Sequence, residues 1–454
     1  MLLGIDIGTS KSAAAVVGED GAVAVVASVR HGADRPAAPD RAEQEATALI
    51  DSAWAAVAQL PRELRARVRA AGFTGQMHGV VLLDGRGVPL TPLINWQDRR
   101  ALEPGFLESL HERTGYRLHS GFGGATLAWL RRHGAWPGDA ASAATIHDLA
   151  AARLCGLARP PTDPTDAASW GLFDLDALDW DRAAVAAAGI PTDALPTVVP
   201  CGTRIGAATA AMAGRLGIPA GVPVTAALGD NQASLVAVLR EPDRELVLTL
   251  GTGGQIAAVL PAGARTAPGE RSGRWECRPY PGGRWAAVGA VMCGGAAWQW
   301  LAEYVESWLR ELGLEAPPRD DLYARLNDLG LAATDAPTVR PHFMGERHEP
   351  GLRGAIDGLT MSNASLGALA KGLARGIMES LRELAPPEML AGRTRLVGTG
   401  NALRRNPLLR ETAQEVFGLP FMLRDVFEEA AVGAALHAGR STDSECTPGA
   451  PSLR

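Results

Sequence analysis

The sequence predicts an α/β protein built of two related domains, and three observations predict it. The chain has 454 residues, more than one core serves, because hydrophobic cores stop growing beyond about 250–300 residues. A strand-turn-strand pattern occurs twice, as GIDIGTSKSAAAVV over 4–17 and as LVLTLGTGGQIAAVL over 246–260. Helical periodicities lie between and after these strands. Two unrelated hairpins would give the same repeat, since Gly-Thr turns are common, so other features have to decide.

The first hairpin poses a question of its own. Asp6 sits in the middle of an apolar strand, and an unpaired carboxylate is heavily penalised when buried, so something must stand beside it. The turn that follows, Gly8-Thr9-Ser10-Lys11, offers backbone amides and a lysine.

Composition narrows the class. With 46% hydrophobic and 21% charged residues, and no run of 18 or more apolar residues, the chain reads as a soluble globular protein without a membrane span. MLLGIDIGTSK has no basic segment before its short apolar run and no small-residue cleavage pattern after it, so no secretory signal is expected. Cysteines 155, 201, 277, 293 and 446 are odd in number, widely spaced and free of CxxC pairs. That disfavours a disulfide framework or a zinc site and fits a reducing cytoplasm. A net charge of −6 and a pI near 5.9 argue against a nucleic-acid partner. Of 44 Lys+Arg only Lys11 and Lys371 are lysines. A GC-rich genome would let surface lysines drift to arginine, which singles out Lys11, because the two are not equivalent at a phosphate. Chance would also place one of two there.

The remaining elements follow in order. Residues 41–60 have helical spacing, then strand-like RVRAAGFTGQMHGVVLLD leads to a turn at Gly85-Arg86-Gly87. Residues 181–200 read as a short helix and a Pro-bounded loop. A Gly/Pro turn then feeds a strand ending at Gly229-Asp230-Asn231, and the domain boundary is placed near it. Helical patterns occupy 296–312, 364–385, 407–417 and 428–438, with a strand in RLVGTGNAL, and the tail RSTDSECTPGAPSLR reads as disordered.

Candidate chemistry comes from Gly-rich turns, whose amides suit phosphate oxygens. Besides the two hairpin turns there are Cys293-Gly294-Gly295 and Gly398-Thr399-Gly400-Asn401. Each alone reads more readily as an ordinary tight turn; four in this order have the composition of a nucleotide site. The pattern is not a Walker motif, since no glycine directly precedes Lys11. Asp230, between a strand and a helical segment, reads as a helix N-cap or as a general base that takes a hydroxyl proton during phosphoryl transfer. Gln76, His78, Trp96, Gln97 and Asp98 form a polar group fit for a polyol, although His78 alone is more often structural. His342, Glu346 and His348 lie in a Pro/Gly loop without a further ligand nearby, a poor metal set, and are read as structural.

Taken in order, these motifs resemble the FGGY carbohydrate kinases over nearly all of residues 2–438. GIDIGTSKSAAAVV resembles the first phosphate hairpin, GFTGQMHGVVLLDGRGVPLTPLINWQDRRA the sugar-binding stretch, AGVPVTAALGDNQAS the segment with the catalytic aspartate, and LTLGTGGQIA the second phosphate hairpin. PHFMGERHEPGLRGAIDGLT resembles the signature loop, and GTGNALRRNPLLRETAQEVFGLP with EEAAVGAAL the adenosine side and closing helix.

The resemblance implies two actin/hexokinase-like (ribonuclease H-like) α/β domains with an interdomain cleft, divided as 1–226 and 227–440 with a tail at 441–454, and a closure that excludes water. It implies ATP and Mg²⁺, with Asp230 as base and Asp6 at the metal. Thr9, Ser10, Lys11, Gly251, Thr252 and Gly253 would cradle phosphate; Gly294, Gly295, Gly398, Gly400 and Asn401 would line the nucleoside side. Gln76, Met77, His78, Trp96, Gln97, Asp98, Asp230 and Asn231 would hold the sugar. The partners implied are a small sugar and ATP, with no nucleic acid or membrane, and a homodimer stays open.

For the acceptor, Gln-Met-His-Gly at 76–79 is similar to enzymes of both xylulose and sedoheptulose, whereas Trp-Gln-Asp at 96–98 and GTGNALRRNPLLR look more like the sedoheptulose branch. Asn231 looks xylulose-like, and Arg99-Arg100 departs from the small residue that relatives often carry before the arginine. The expectation is phosphorylation of a ketose at its terminal primary hydroxyl, sedoheptulose to sedoheptulose 7-phosphate first and xylulose second. The other class kept open is a non-catalytic sugar sensor or ATPase switch.

Overall fold

The computed structural model describes residues 1–36, 38–265, 275–346, 349 and 351–444. They form two compact units, one of Met1–Val238, Pro279–Gly283 and the chain from Val426 onward, the other of Leu239–Arg278 and Arg284–Asp425.

The first unit is built on a mixed sheet. Its strands are β1 (Leu2–Ile7), β2 (Lys11–Val17), β3 (Val23–Arg30), β4 (Ala70–Gly75), β5 (Arg204–Ala207), β6 (Pro223–Thr225) and β7 (Leu228–Gly229). The order is β5-β6-β4-β1-β2-β3, with β7 also paired to β4. β1 and β2 make the antiparallel hairpin, and β1, β4 and β7 run parallel. Alternation along β1 sends Leu3, Ile5 and Ile7 into one core. Against them pack α1 (Ala46–Gln59), through Leu49, Ile50, Trp54 and Val57, and α2 (Ile146–Cys155), through Ile146 and Leu149.

The opposite face of the sheet is covered by α3 (Asp230–Val238) and the last helix, Glu429–Ser444. Small residues permit this. A Cβ on Gly4 would collide with the Ala431 carbonyl, and one on Gly433 with that of Ala233. The last helix therefore lies directly on β1 and α3, which brings its start close to Asp6.

The compact units differ from the expected division at 226/227: residues 227–238 and the chain from Val426 onward pack with the first unit. Leu228–Val238 stays with the first unit because β7 pairs with β4 and α3 packs on the last helix, which returns to the first sheet. The last helix also continues through Ser444, past the expected start of the tail; residues 445–454 lie outside the described ones.

The second unit repeats the plan. Its strands β8 (Glu245–Leu250), β9 (Gly254–Val259), β10 (Arg284–Val291), β11 (Arg395–Thr399) and β12 (Phe421–Leu423) follow the order β10-β9-β8-β11-β12. The hairpin β8–β9 is antiparallel and β8, β11 and β12 are parallel, matching β3-β2-β1-β4-β6 of the first unit. The repeat in the sequence thus reflects two copies of one topology. α4 (Gly295–Glu311) and α5 (Leu366–Glu383) close its core with Trp298, Leu301, Leu373 and Ile377. A further helix, Arg319–Ala332, has no counterpart in the sequence reading.

Candidate active site

Three parallel strand ends of the first unit place its polar residues. Asp6 on β1, Thr74 on β4 and Leu228 on β7 lie side by side. The chain leaves the sheet as Gly8-Thr9 from β1, as Gln76-Met77-His78 from β4 and as Asp230 from β7. Ligands of α/β sheets gather at such carboxyl ends.

Asp6 points to the face covered by the last helix. It is partly buried as a residue, but its Oδ1 is enclosed and has no hydrogen-bond partner. Burial first, then the negative charges of Asp230 and Glu428, push its carboxyl well above the usual carboxylate range, while Lys11 acts the other way. The Lys11 ammonium is ion-paired with Glu428, whose backbone is left-handed at φ 52°, an uncommon conformation for a residue other than glycine. Asp230 is the first residue of α3 and follows β7 without a loop. This corrects the N-cap reading: Asp230 lies within the first turn, where the helix dipole favours a carboxylate.

The first turn is tied down by side chains. Buried Gln76 donates Nε2 to the Gly8 carbonyl at 3.3 Å and to Gln44 Oε1 at 2.9 Å. Its Oε1 accepts the Thr9 hydroxyl at 3.2 Å. Gln44 donates to the Thr9 carbonyl at 2.8 Å, and the Trp96 indole to Thr9 Oγ1 at 2.9 Å. The Gln76 amide and the Thr9 hydroxyl, expected toward sugar and phosphate, brace the turn here. Ser10 and Lys11 are exposed.

Asp98, expected toward the sugar, is also tied down. It is 1% exposed and holds Arg100 in a two-point ion pair, Oδ1 to Nε at 2.7 Å and Oδ2 to a terminal nitrogen at 2.9 Å. Oδ2 also accepts the Ala42 amide at 2.8 Å. Arg100 is thus the buried partner of Asp98, while Arg99 is exposed. Trp96 and Gln97 are exposed and Met77 is buried. His78 has a left-handed backbone at φ 73°, stacks on Phe122 at 4.6 Å and bonds the Ser169 carbonyl through Nδ1 at 2.7 Å. That carbonyl requires the proton on Nδ1, so in the neutral ring Nε2 is the acceptor.

The second turn, Gly251-Thr252-Gly253, is held by backbone. The Gly294 amide donates to the Thr252 carbonyl at 3.1 Å, Gly295 to Gly251 at 2.9 Å and Ala296 to Thr252 at 2.9 Å. The first amides of α4 thus brace the hairpin, at residues expected to line the nucleoside side. Among the described residues the Thr252 and Gly253 amides donate to no backbone acceptor outside the sheet ladder. Gly398, expected on the nucleoside side, is buried, with Phe421 and Leu403 filling the space of its missing side chain. Gly400, at φ 90°, and exposed Asn401 stay at the surface of the turn.

Among the described residues no cluster of His, Cys, Asp or Glu is set to hold a metal by itself. Glu346 accepts the Met292 amide at 3.0 Å and meets His342 Nδ1 at 3.2 Å, which makes that loop a brace beside the third Gly turn. His348 lies outside the described residues. The sequence reading missed Gln44, Arg100 and Glu428. Only Arg100, two residues from Asp98, and Glu428, at the start of a helical pattern, left a local trace.

Comparison with known proteins decides the family. The model of the N-terminal domain of the FGGY family of carbohydrate kinases matches residues 1–237, and that of the C-terminal domain residues 246–442. The chain belongs to the FGGY family of carbohydrate kinases. This kinase is 32% identical to human sedoheptulokinase over 96% of each chain. It is 26% identical to a gluconokinase of Bacillus subtilis (strain 168), over 96% of this chain and 86% of the other. Its fold resembles the solved xylulose kinase of Rhodospirillum rubrum with a TM-score of 0.82, 27% identity, and 97% and 90% of the two chains covered. The fold is the actin/hexokinase-like one expected, and the non-catalytic sensor reading gives way to a sugar kinase.

Proposed function

We propose that this kinase transfers the terminal phosphoryl group of ATP to the primary hydroxyl of a ketose, sedoheptulose giving sedoheptulose 7-phosphate. The observation that carries it is Asp230, a partly buried carboxylate at the carboxyl end of three parallel strands, in the electrostatic company of Asp6. The oxygen of the sugar hydroxyl attacks the γ-phosphorus, the bond to the ADP oxygen breaks, and Asp230 takes the hydroxyl proton. His78, Trp96, Gln97 and Asn231 contact the sugar hydroxyls, while Gln76 and Asp98 support them from behind.

The turn amides of both hairpins and the Lys11 ammonium serve the phosphates. Asp6 would hold Mg²⁺, and its residues fit: Oδ1 is enclosed without a partner, and two further carboxylates add negative charge. When bound, the ion neutralises phosphate charge. Among the described residues no helix is long and apolar enough to cross a membrane; the free thiols of the described cysteines support a reducing cytoplasm.

Sedoheptulose is favoured by Trp96-Gln97-Asp98 and by the relatedness to human sedoheptulokinase. Xylulose is the second reading, favoured by Asn231 and the likeness to xylulose kinase structures. The test is ADP release from MgATP with sedoheptulose, D-xylulose, D-ribulose and glycerol in parallel, beside a no-sugar control. Preferred turnover of sedoheptulose is expected. Preferred xylulose would make Asn231 the better guide, and ADP release independent of every sugar would overturn the proposal.

A further inference from the structure

The turn that carries Asp230 is held from below by a group outside the sugar stretch and both hairpins. Gly229, the last residue of β7, donates its amide to Thr165 Oγ1 at 2.9 Å. The Thr165 hydroxyl in turn donates to Asp163 Oδ1 at 2.5 Å. The same carboxylate oxygen accepts the amides of Thr165 at 2.8 Å and Asp166 at 3.3 Å, capping the short helix Pro164–Ala167. Thr165 and Asp163 are at most 1% exposed.

This chain of bonds fixes its own polarity. Oδ1 of Asp163 already accepts two backbone N–H groups, so the Thr165 proton points to it, and a lone pair of the hydroxyl is left for the Gly229 N–H. On its other side Gly229 is pinned by pairing with Gly75 of β4. A Cβ there would stand 2.8 Å from the side-chain ends of Met77 and Gln232. Because β7 runs straight into α3, the peptide held by Thr165 sets where the Asp230 carboxylate points.

We propose that Thr165 is a positioning residue for Asp230, its hydroxyl bridging Asp163 to the Gly229 amide. The inference rests on the assignment of Asp230 as the base. A displacement of about 1 Å at a reacting group costs up to about a hundredfold in rate, so loss of the bridge should act on turnover and leave sugar binding in place.

The test compares Thr165→Val, Thr165→Ser and Asp230→Asn in the full chain, by sugar-dependent ADP release and by sugar titration without ATP. Thr165→Val, which keeps shape and removes the bridge, should lower kcat at least about tenfold with KM for the sugar within about twofold; Thr165→Ser, which keeps the hydroxyl, should stay within about threefold of the parent. Thr165→Val with full kcat, beside an inactive Asp230→Asn, would overturn the positioning role and leave the base assignment standing. An active Asp230→Asn would overturn the base assignment and this role with it. If Thr165→Val does not fold, Thr165→Ser decides alone: a folded Ser variant with kcat down tenfold or more contradicts the proposal, and one near the parent supports it.

Discussion

The two hairpins share one topology and are held by opposite means. In β1–β2 the turn is braced by side chains: Gln76, Gln44 and Trp96 converge on Gly8 and Thr9 from three separate segments. In β8–β9 the turn is braced by main chain, with the amides of Gly294, Gly295 and Ala296 donating to its carbonyls. The charged groups also divide unequally. Asp6, Lys11, Glu428 and Asp230 all belong to the first unit, while the second turn carries no titratable side chain. A side-chain brace is sensitive to what a residue carries, and a backbone brace to whether a residue carries anything. The first unit thus gathers the charged groups, and the turn of the second presents backbone amides.

The comparison is broken most strongly at Asp230. Asp230→Ala should lower kcat by at least about a hundredfold, the range of a lost general base, with sugar binding kept; steady-state kinetics and a sugar titration check both. Next in size is Gly294→Ala. A Cβ there would stand 2.5 Å from the Gly253 carbonyl group. It should raise KM for ATP about tenfold or more and destabilise by about 1–3 kcal/mol, as overpacking does, read by kinetics and denaturant unfolding.

A matched pair sharpens the contrast. Thr9→Val removes a hydroxyl with two partners and should destabilise by about 1–3 kcal/mol. Thr252→Val changes an exposed side chain and should stay within about 0.5 kcal/mol. Equal effects in denaturant unfolding would remove the distinction between the two braces.

A pH-dependent effect lies behind the first sheet. Asp148 is buried, and burial, then Asp166, pushes its carboxyl up to about 8. The folded protein therefore keeps a proton that the unfolded chain releases above about pH 4. That contribution to stability is fully present below the unfolded value and is lost as pH rises through about 8. Asp148→Asn should flatten the fall of the thermal midpoint between about pH 5 and 8 by a few degrees. An unchanged slope in thermal scans across that range would count against it.

Much of this was legible in the sequence for physical reasons. Gly-Thr turns between apolar runs fixed both hairpins, helical spacing located Ala46–Gln59 and Leu366–Glu383, and strand followed by Asp located Asp230. What escaped was long-range pairing. Glu428 meets Lys11 across 417 positions, and nothing local announces that the last helix returns to the first sheet. Asp98 looked like a ligand because a carboxylate in a polar stretch looks the same whether it faces a sugar or a buried arginine. Gly294 and Gly295 looked like a cradle because glycine spacing does not reveal that their amides are already spent.

The division of labour between the two hairpins is tested most directly by calorimetric titration of MgATP into Asp230→Ala and Gly294→Ala side by side. Asp230→Ala should bind nucleotide as the parent does while failing to turn over sugar, and Gly294→Ala should lose nucleotide affinity. Full affinity in Gly294→Ala together with lost affinity in Asp230→Ala would contradict the account.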